Sequence, residues 1–178
     1  TLIFEDRQNI IGDLFIKVGS YVTVEATNVS NLTVTFSILK NPLGECKLIE
    51  NWSHSDLDKV KKYLSDLLPL IDQPQLLCKN GDVVTDEMRN SVRLLLAALD
   101  FGHYTMYLRE NDTESAKAVA EKLHPEFNGC INELIRLWLK TNKTSHILQS
   151  ISPLLKKTEE LYNFIRPQNT PPEGYKGN

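Results

Sequence analysis

No long apolar run occurs in the 178 residues: the richest, Leu94 to Leu99, is about a third of the roughly 18 needed to cross a bilayer, which excludes a membrane-spanning helix. Charge of one sign is missing too. With 20 basic against 23 acidic residues and a formal net charge of -3, nothing in the overall balance calls for a polyanion partner. Cysteine is scarce, at three residues, Cys46, Cys78 and Cys130, none in a C-x-x-C pair; a disulfide framework is therefore not expected, and a reducing, intracellular setting, cytoplasmic or nuclear, is. Glycine-rich loops are absent, since Lys79-Asn80-Gly81-Asp82 offers one glycine and a carboxylate where a bound phosphate would sit. Thr1 stands where a methionine would, with no charged-then-apolar leader after it, so we expect a piece of a longer protein and no signal peptide in view.

Chemistry-bearing constellations are equally thin. His54, His103, His124 and His146 each lack an H-x-x-x-H or nearby cysteine partner, so no metal ligand set is expected, and no cofactor. The three cysteines lie in or beside apolar patterns and read as small buried hydrophobes. Asp56/Asp58, Asp86/Glu87 and Glu159/Glu160 sit at helix starts or on polar faces, where capping and solvation account for them; no catalytic residue is assigned. Lys59, Lys61, Lys62, Lys156 and Lys157 are interleaved with acids and read as solvated faces. Asparagine sequons at Asn28, Asn31, Asn51, Asn111 and Asn142 point the other way on compartment, toward a secreted or luminal glycoprotein, although each also resembles a turn or cap.

The first fifty residues alternate. Leu14, Ile16 and Val18, then Val22, Val24 and Ala26, then strictly Leu32, Val34, Phe36 and Ile38 against Thr33, Thr35 and Ser37, carry the period of half-buried strands. Val18-Gly19-Ser20, Thr27 to Ser30 and Asn41-Pro42-Leu43-Gly44 supply turn chemistry between them. The expectation is an antiparallel β unit over 1–52, of four or five strands and barrel-like, whose apolar face the later helices cover.

From Ser53 the period becomes 3.6. Ser53 or Ser55 caps a helix with Leu57, Val60, Leu64, Leu67 and Leu68 inward, ending at Pro69. Asn80-Gly81 is a turn before a central buried helix capped by Thr85, carrying Met88, Val92, Leu95, Leu96 and Leu99 and closed at Gly102. A short helix over His103 to Arg109 follows, then a capped start at Asn111-Asp112-Thr113 for Glu114 to Leu123, stopped by His124-Pro125. Gly129 to Lys140 forms the next, and Ser152-Pro153 predicts a new helix or sharp kink within the last. The whole reads as α+β: the sheet, a bundle of five or six helices over 53–166, and a Pro- and Gly-rich tail or linker over 167–178.

Within the bundle, Leu77 to Leu108 resembles the helical domain of steroid receptor RNA activator protein and the related C-terminal helical domain of the outer COPII coat subunit. The shared pattern is an apolar pair, the turn at Gly81, the Val84-Thr85 entry, the Leu94 to Leu99 run and Asp100-x-Gly102-x-Tyr104. The resemblance implies a five-helix scaffold module without catalytic residues. Glu110 to Glu114 departs from it, as does the β-rich part.

The function expected is therefore non-enzymatic: a protein–protein interaction or scaffold domain of a larger intracellular assembly, partnered by other protein subunits. Tyr104, Tyr107, Trp138, Tyr162 and Phe164 are the candidate partner-binding residues, as aromatics able to line a groove, though each also sits on a core stripe. An alternative is single-stranded nucleic-acid binding by the small β unit, with Phe15 and Tyr21 as its aromatics.

Overall fold

The computed structural model describes residues 9–25, 34–41, 47–72, 81–141 and 147–166, and among these there is no strand. The elements are α1 (Ile10–Gly19), α2 (Tyr21–Val24), α3 (Val34–Lys40), a 3-10 turn (Lys47–Asn51), α4 (His54–Ile71), α5 (Gly81–Arg109), α6 (Thr113–Thr141) and α7 (Ile147–Ile165).

The antiparallel sheet expected over 1–52 is thus overturned, and burial shows why the alternation misled. In α1, Ile11 and Leu14 are buried while Phe15 and Ile16 are 50% and 67% exposed, so the inward set follows helical spacing and Ile16 does not join Leu14 on one face. In α3, Thr35, Ser37 and Ile38 are all buried, so the polar half of the alternation faces the core as well. Thr35 meets that demand through Glu25, whose carboxylate accepts from both its backbone N–H, at 3.1 Å, and its hydroxyl. Short apolar runs do not separate a strand from a buried helix by period alone. The β unit on which the nucleic-acid reading rested is not found among the described residues.

One core runs through the described residues, joining Ile11, Leu14, Ile38 and Ile49 to the long helices. At its centre lies α5, which packs against α6, α4 and α3. From Ala97 to Met106 every residue but Asp100 is buried, on all sides of the helix, as befits one enclosed by neighbours. Gly102 is not the stop signal expected. It lies inside α5, where a Cβ would meet Leu57 Cδ1 at 3.0 Å and Ile38 and Ile49 Cδ1 at 3.1 Å each. The missing side chain lets α4, α3 and the 3-10 turn close onto one point.

Thr85 likewise lies inside α5 rather than capping it, since the helix begins at Gly81; Asn80 is outside the described residues. The stop comes at Asn111, which takes φ 60° while its N–H bonds the Leu108 carbonyl and that of Asp112 bonds the Tyr107 carbonyl, the paired bonds of a Schellman motif. Asp112 then starts α6 as expected, accepting from the Ser115 N–H at 3.0 Å.

Prolines mark fewer boundaries than their chemistry suggests. Pro69 lies within α4, Pro125 within α6 and Pro153 within α7. The separate helices expected on either side of His124-Pro125 are one, because Ala116, Ala120, Leu123, Phe127 and Ile131 form an unbroken buried stripe across an exposed proline. Burying that stripe outweighs the roughly 3 kcal/mol that an interior proline costs.

Candidate functional site

Two polar stripes meet near one end of the bundle. Ser53 caps α4 through a capping box: its side chain accepts from the Asp56 N–H, and the Asp56 carboxylate accepts from the Ser53 N–H at 3.0 Å. This start aims His54, Asp58 and Lys61 along one face at i, i+4 and i+7. From α5, Asp100, His103 and Tyr107 come at i, i+3 and i+7, and α6 adds Val119, Lys122 and Leu123. Together they line a pocket of about 370 Å³.

The histidines, separated in sequence, are in contact here. His54 Nδ1 and His103 Nδ1 lie 2.6 Å apart. With ring centroids 4.9 Å apart and planes 13° from parallel, the rings meet edge to edge in line, not face over face. His103 Nε2 lies 3.2 Å from Asp58 Oδ1, and His54 Nε2 lies 3.4 Å from Glu110 Oε2. The Tyr107 ring packs against His54 at 4.3 Å, and the Lys61 ammonium bonds the Asp100 carboxylate. Burial pushes His103 below the ordinary imidazole value; Asp58 opposes that shift, while the charges of His54 and Lys61 add to it. A metal ion held by both Nδ1 atoms would need them further apart, since metal–imidazole bonds are about 2.0–2.1 Å each. No group of three or more metal-ligating side chains is gathered among the described residues.

The five aromatics singled out from sequence do not converge. Tyr104 is buried and makes an edge contact with Phe164 at 5.1 Å. Burial first, and the Glu160 charge second, push its phenol up to about 12. Tyr107 lines the histidine pocket, Tyr162 is 44% exposed with its ring 5.8 Å from His124, and Trp138 is half-buried on α6. Cys130 is buried, its thiol raised by that burial, as a small core residue should be; Cys46 and Cys78 lie outside the described residues. Of the lysines, Lys59 and Lys62 pair with Asp56 and Asp66 on an exposed face as expected, whereas Lys157 is buried, bonding the Asn41 carbonyl beneath the Phe101 ring. The sequons at Asn51 and Asn111 are exposed; those at Asn28, Asn31 and Asn142 lie outside the described residues.

A second surface is apolar. Along α7, Leu148, Leu155 and Tyr162 recur every seven residues and are 72%, 46% and 44% exposed, while Ile151, Leu154 and Leu161 on the other face are buried, the helix packing chiefly on α6. Tyr162, expected as a partner-binding aromatic that also sits on a core stripe, faces outward together with Leu148 and Leu155. No family model, curated protein or solved structure matches the chain. The site must be interpreted from its own chemistry. No helix among the described residues is long and apolar enough to cross a membrane.

Proposed function

We infer that the chain is a non-enzymatic interaction module of a larger intracellular assembly, and that the outer face of α7 receives one amphipathic helix of a partner protein. The observation that carries this is the exposed Leu148–Leu155–Tyr162 stripe. Its seven-residue spacing is the period at which two helices keep a continuous seam, and it extends along most of a 19-residue helix. Large apolar side chains scattered singly over a surface need no explanation; a row of them along one helix face does. The resemblance of Leu77 to Leu108 to coat-subunit and RNA-activator helical domains supports the same reading, because those are scaffold modules.

Substitution separates this role from folding. Leu148→Asp with Leu155→Asp changes two exposed positions and should leave the unfolding midpoint nearly unmoved. Native mass spectrometry of the chain purified from its source should show a stoichiometric heterologous subunit that the double variant loses. A wild-type chain without such a subunit, a variant that keeps it, or a homodimer seated on α7 would each overturn the proposal.

A further inference from the structure

We propose that the cleft where the end of α3 meets the middle of α7 is an anion site for a phosphomonoester, held by Lys40, Lys156 and Lys157. With Asn41, Pro153 and Glu160 these residues line a pocket of about 160 Å³. Pockets for drug-sized ligands run to about 300–1,000 Å³, so this one takes a single group and not a whole nucleotide or cofactor. Three ammoniums against one carboxylate leave two positive charges in surplus. A bound carboxylate cancels one of them; a phosphomonoester, with about 1.5 to 2 negative charges near neutral pH, cancels both. Lysine meets it as a point charge, without the two-pronged fork by which arginine suits a carboxylate.

Other exposed lysines find an acid on their own helix, Lys59 with Asp56, Lys62 with Asp66 and Lys117 with Glu121. Lys40 and Lys156 have no carboxylate within ion-pair distance among the described residues, although Glu160 lies one turn along α7 from Lys156. The third lysine is built into the fold. Lys157 is 3% exposed, and its ammonium bonds the Asn41 carbonyl beneath the Phe101 ring. That bond also removes an obstacle, since a bare carbonyl at the negative end of α3 would repel an anion. The Asn41 N–H and side-chain amide both bond the Ser37 carbonyl, at 3.0 and 2.7 Å, so α3 offers the anion the Lys40 ammonium of its last turn. A charge set in a low-dielectric wall attracts more strongly than one in water, which gives Lys157 weight at this pocket. The anion bridges α3 and α7. The site shares no residue with the Leu148–Leu155–Tyr162 stripe and does not depend on the partner-helix reading.

Two-dimensional NMR of the full chain, titrated at constant ionic strength with inorganic phosphate, N-acetyl-phosphoserine N-methylamide or acetate, tests the site. Each phosphate probe should shift the Lys40, Asn41, Lys156 and Lys157 amides along one saturable curve, and acetate should bind about tenfold more weakly or worse. Inorganic phosphate binding as tightly as the phosphoserine derivative identifies a free anion as the ligand; a tighter phosphoserine derivative identifies a phosphorylated side chain. Lys40→Gln with Lys156→Gln, both at exposed positions, should weaken phosphate about tenfold or more with the unfolding midpoint nearly unmoved. Glu160→Gln removes the opposing charge and should tighten binding. Shifts that stay linear, that spread equally to Lys59 and Lys62, or that survive in the double variant would overturn the site, as would acetate matching phosphate or a Glu160→Gln chain that binds no more tightly.

Discussion

Replacing Gly102 with alanine sets two opposed effects against each other at one atom. In a helix interior alanine is favoured over glycine by about 1 kcal/mol, so an uncrowded site would gain stability. At Gly102 the new methyl would sit 3.0 Å from Leu57 Cδ1 and 3.1 Å from Ile38 and Ile49 Cδ1. One flexible tip can turn aside, but here three must, they belong to three different elements, and all three residues are buried. Overpacking of this kind costs about 1–3 kcal/mol, which cancels or exceeds the propensity gain and leaves a net loss of about 1 kcal/mol. For a chain of this length that lowers the melting midpoint by about 2–4 °C. Gly129→Ala in α6 is the matched control: its nearest neighbour is Arg93 Nη2 at 3.5 Å, ordinary contact, so it should stabilise by about 1 kcal/mol. Urea unfolding of both variants reads the contrast directly. Ile38→Val deletes one crowding methyl and should recover part of the Gly102→Ala loss in the double variant, a non-additivity that identifies the contact. A Gly102→Ala protein as stabilised as Gly129→Ala would refute the close-packing account of α5.

Removal of the α4 cap by Ser53→Ala should cost about 1 kcal/mol in urea unfolding, and a change within a few tenths would show the capping box to be incidental. Tyr104, raised to about 12, should contribute stability that is complete below about pH 10 and lost as pH rises toward the folded value. The phenolate absorbance of wild type minus Tyr104→Phe should accordingly rise near 12, and a rise near 10 would place the ring in water. Asp86 is pushed up by burial, but hydrogen bonds from Arg136 and Arg89 outweigh that and hold it below the usual carboxylate range. Its contribution is therefore present above about pH 4 and lost as pH falls further, and Arg136→Gln should flatten that acid limb of the stability curve; an unchanged slope would count against the pairing.

The sequence disclosed some of this and concealed the rest for identifiable reasons. Ser53, Asp112 and the buried stripe of α4 were legible because caps and helical spacing are local. The helical character of α1 and α3 was not, because Thr35 is made tolerable in a core by Glu25, a partner that only the fold supplies. Gly102 and Pro125 carry real stop chemistry, yet three converging side chains and an uninterrupted buried stripe decide against it. The Ala116–Ile131 register was the available signal at Pro125, since it passes the proline without a phase shift. The histidine pocket left a trace of its own, two polar stripes at 54/58/61 and 100/103/107, each unremarkable until the helices cross. Nothing in the sequence said that Leu148 and Leu155 would face outward beside Tyr162, because α7 has apolar residues enough for two faces.

Lys157 fastens the last helix to the first third of the chain: its ammonium, under the Phe101 ring at 5.2 Å, bonds a carbonyl at Asn41, 116 positions earlier. The end of α3 and the middle of α7 are consequently joined around a cation that hydrocarbon would otherwise reject. During synthesis α3 waits without this contact until α7 has emerged. Losing α3 would take the Asn41 carbonyl from that ammonium, so α3 and α7 share a contact that neither keeps alone.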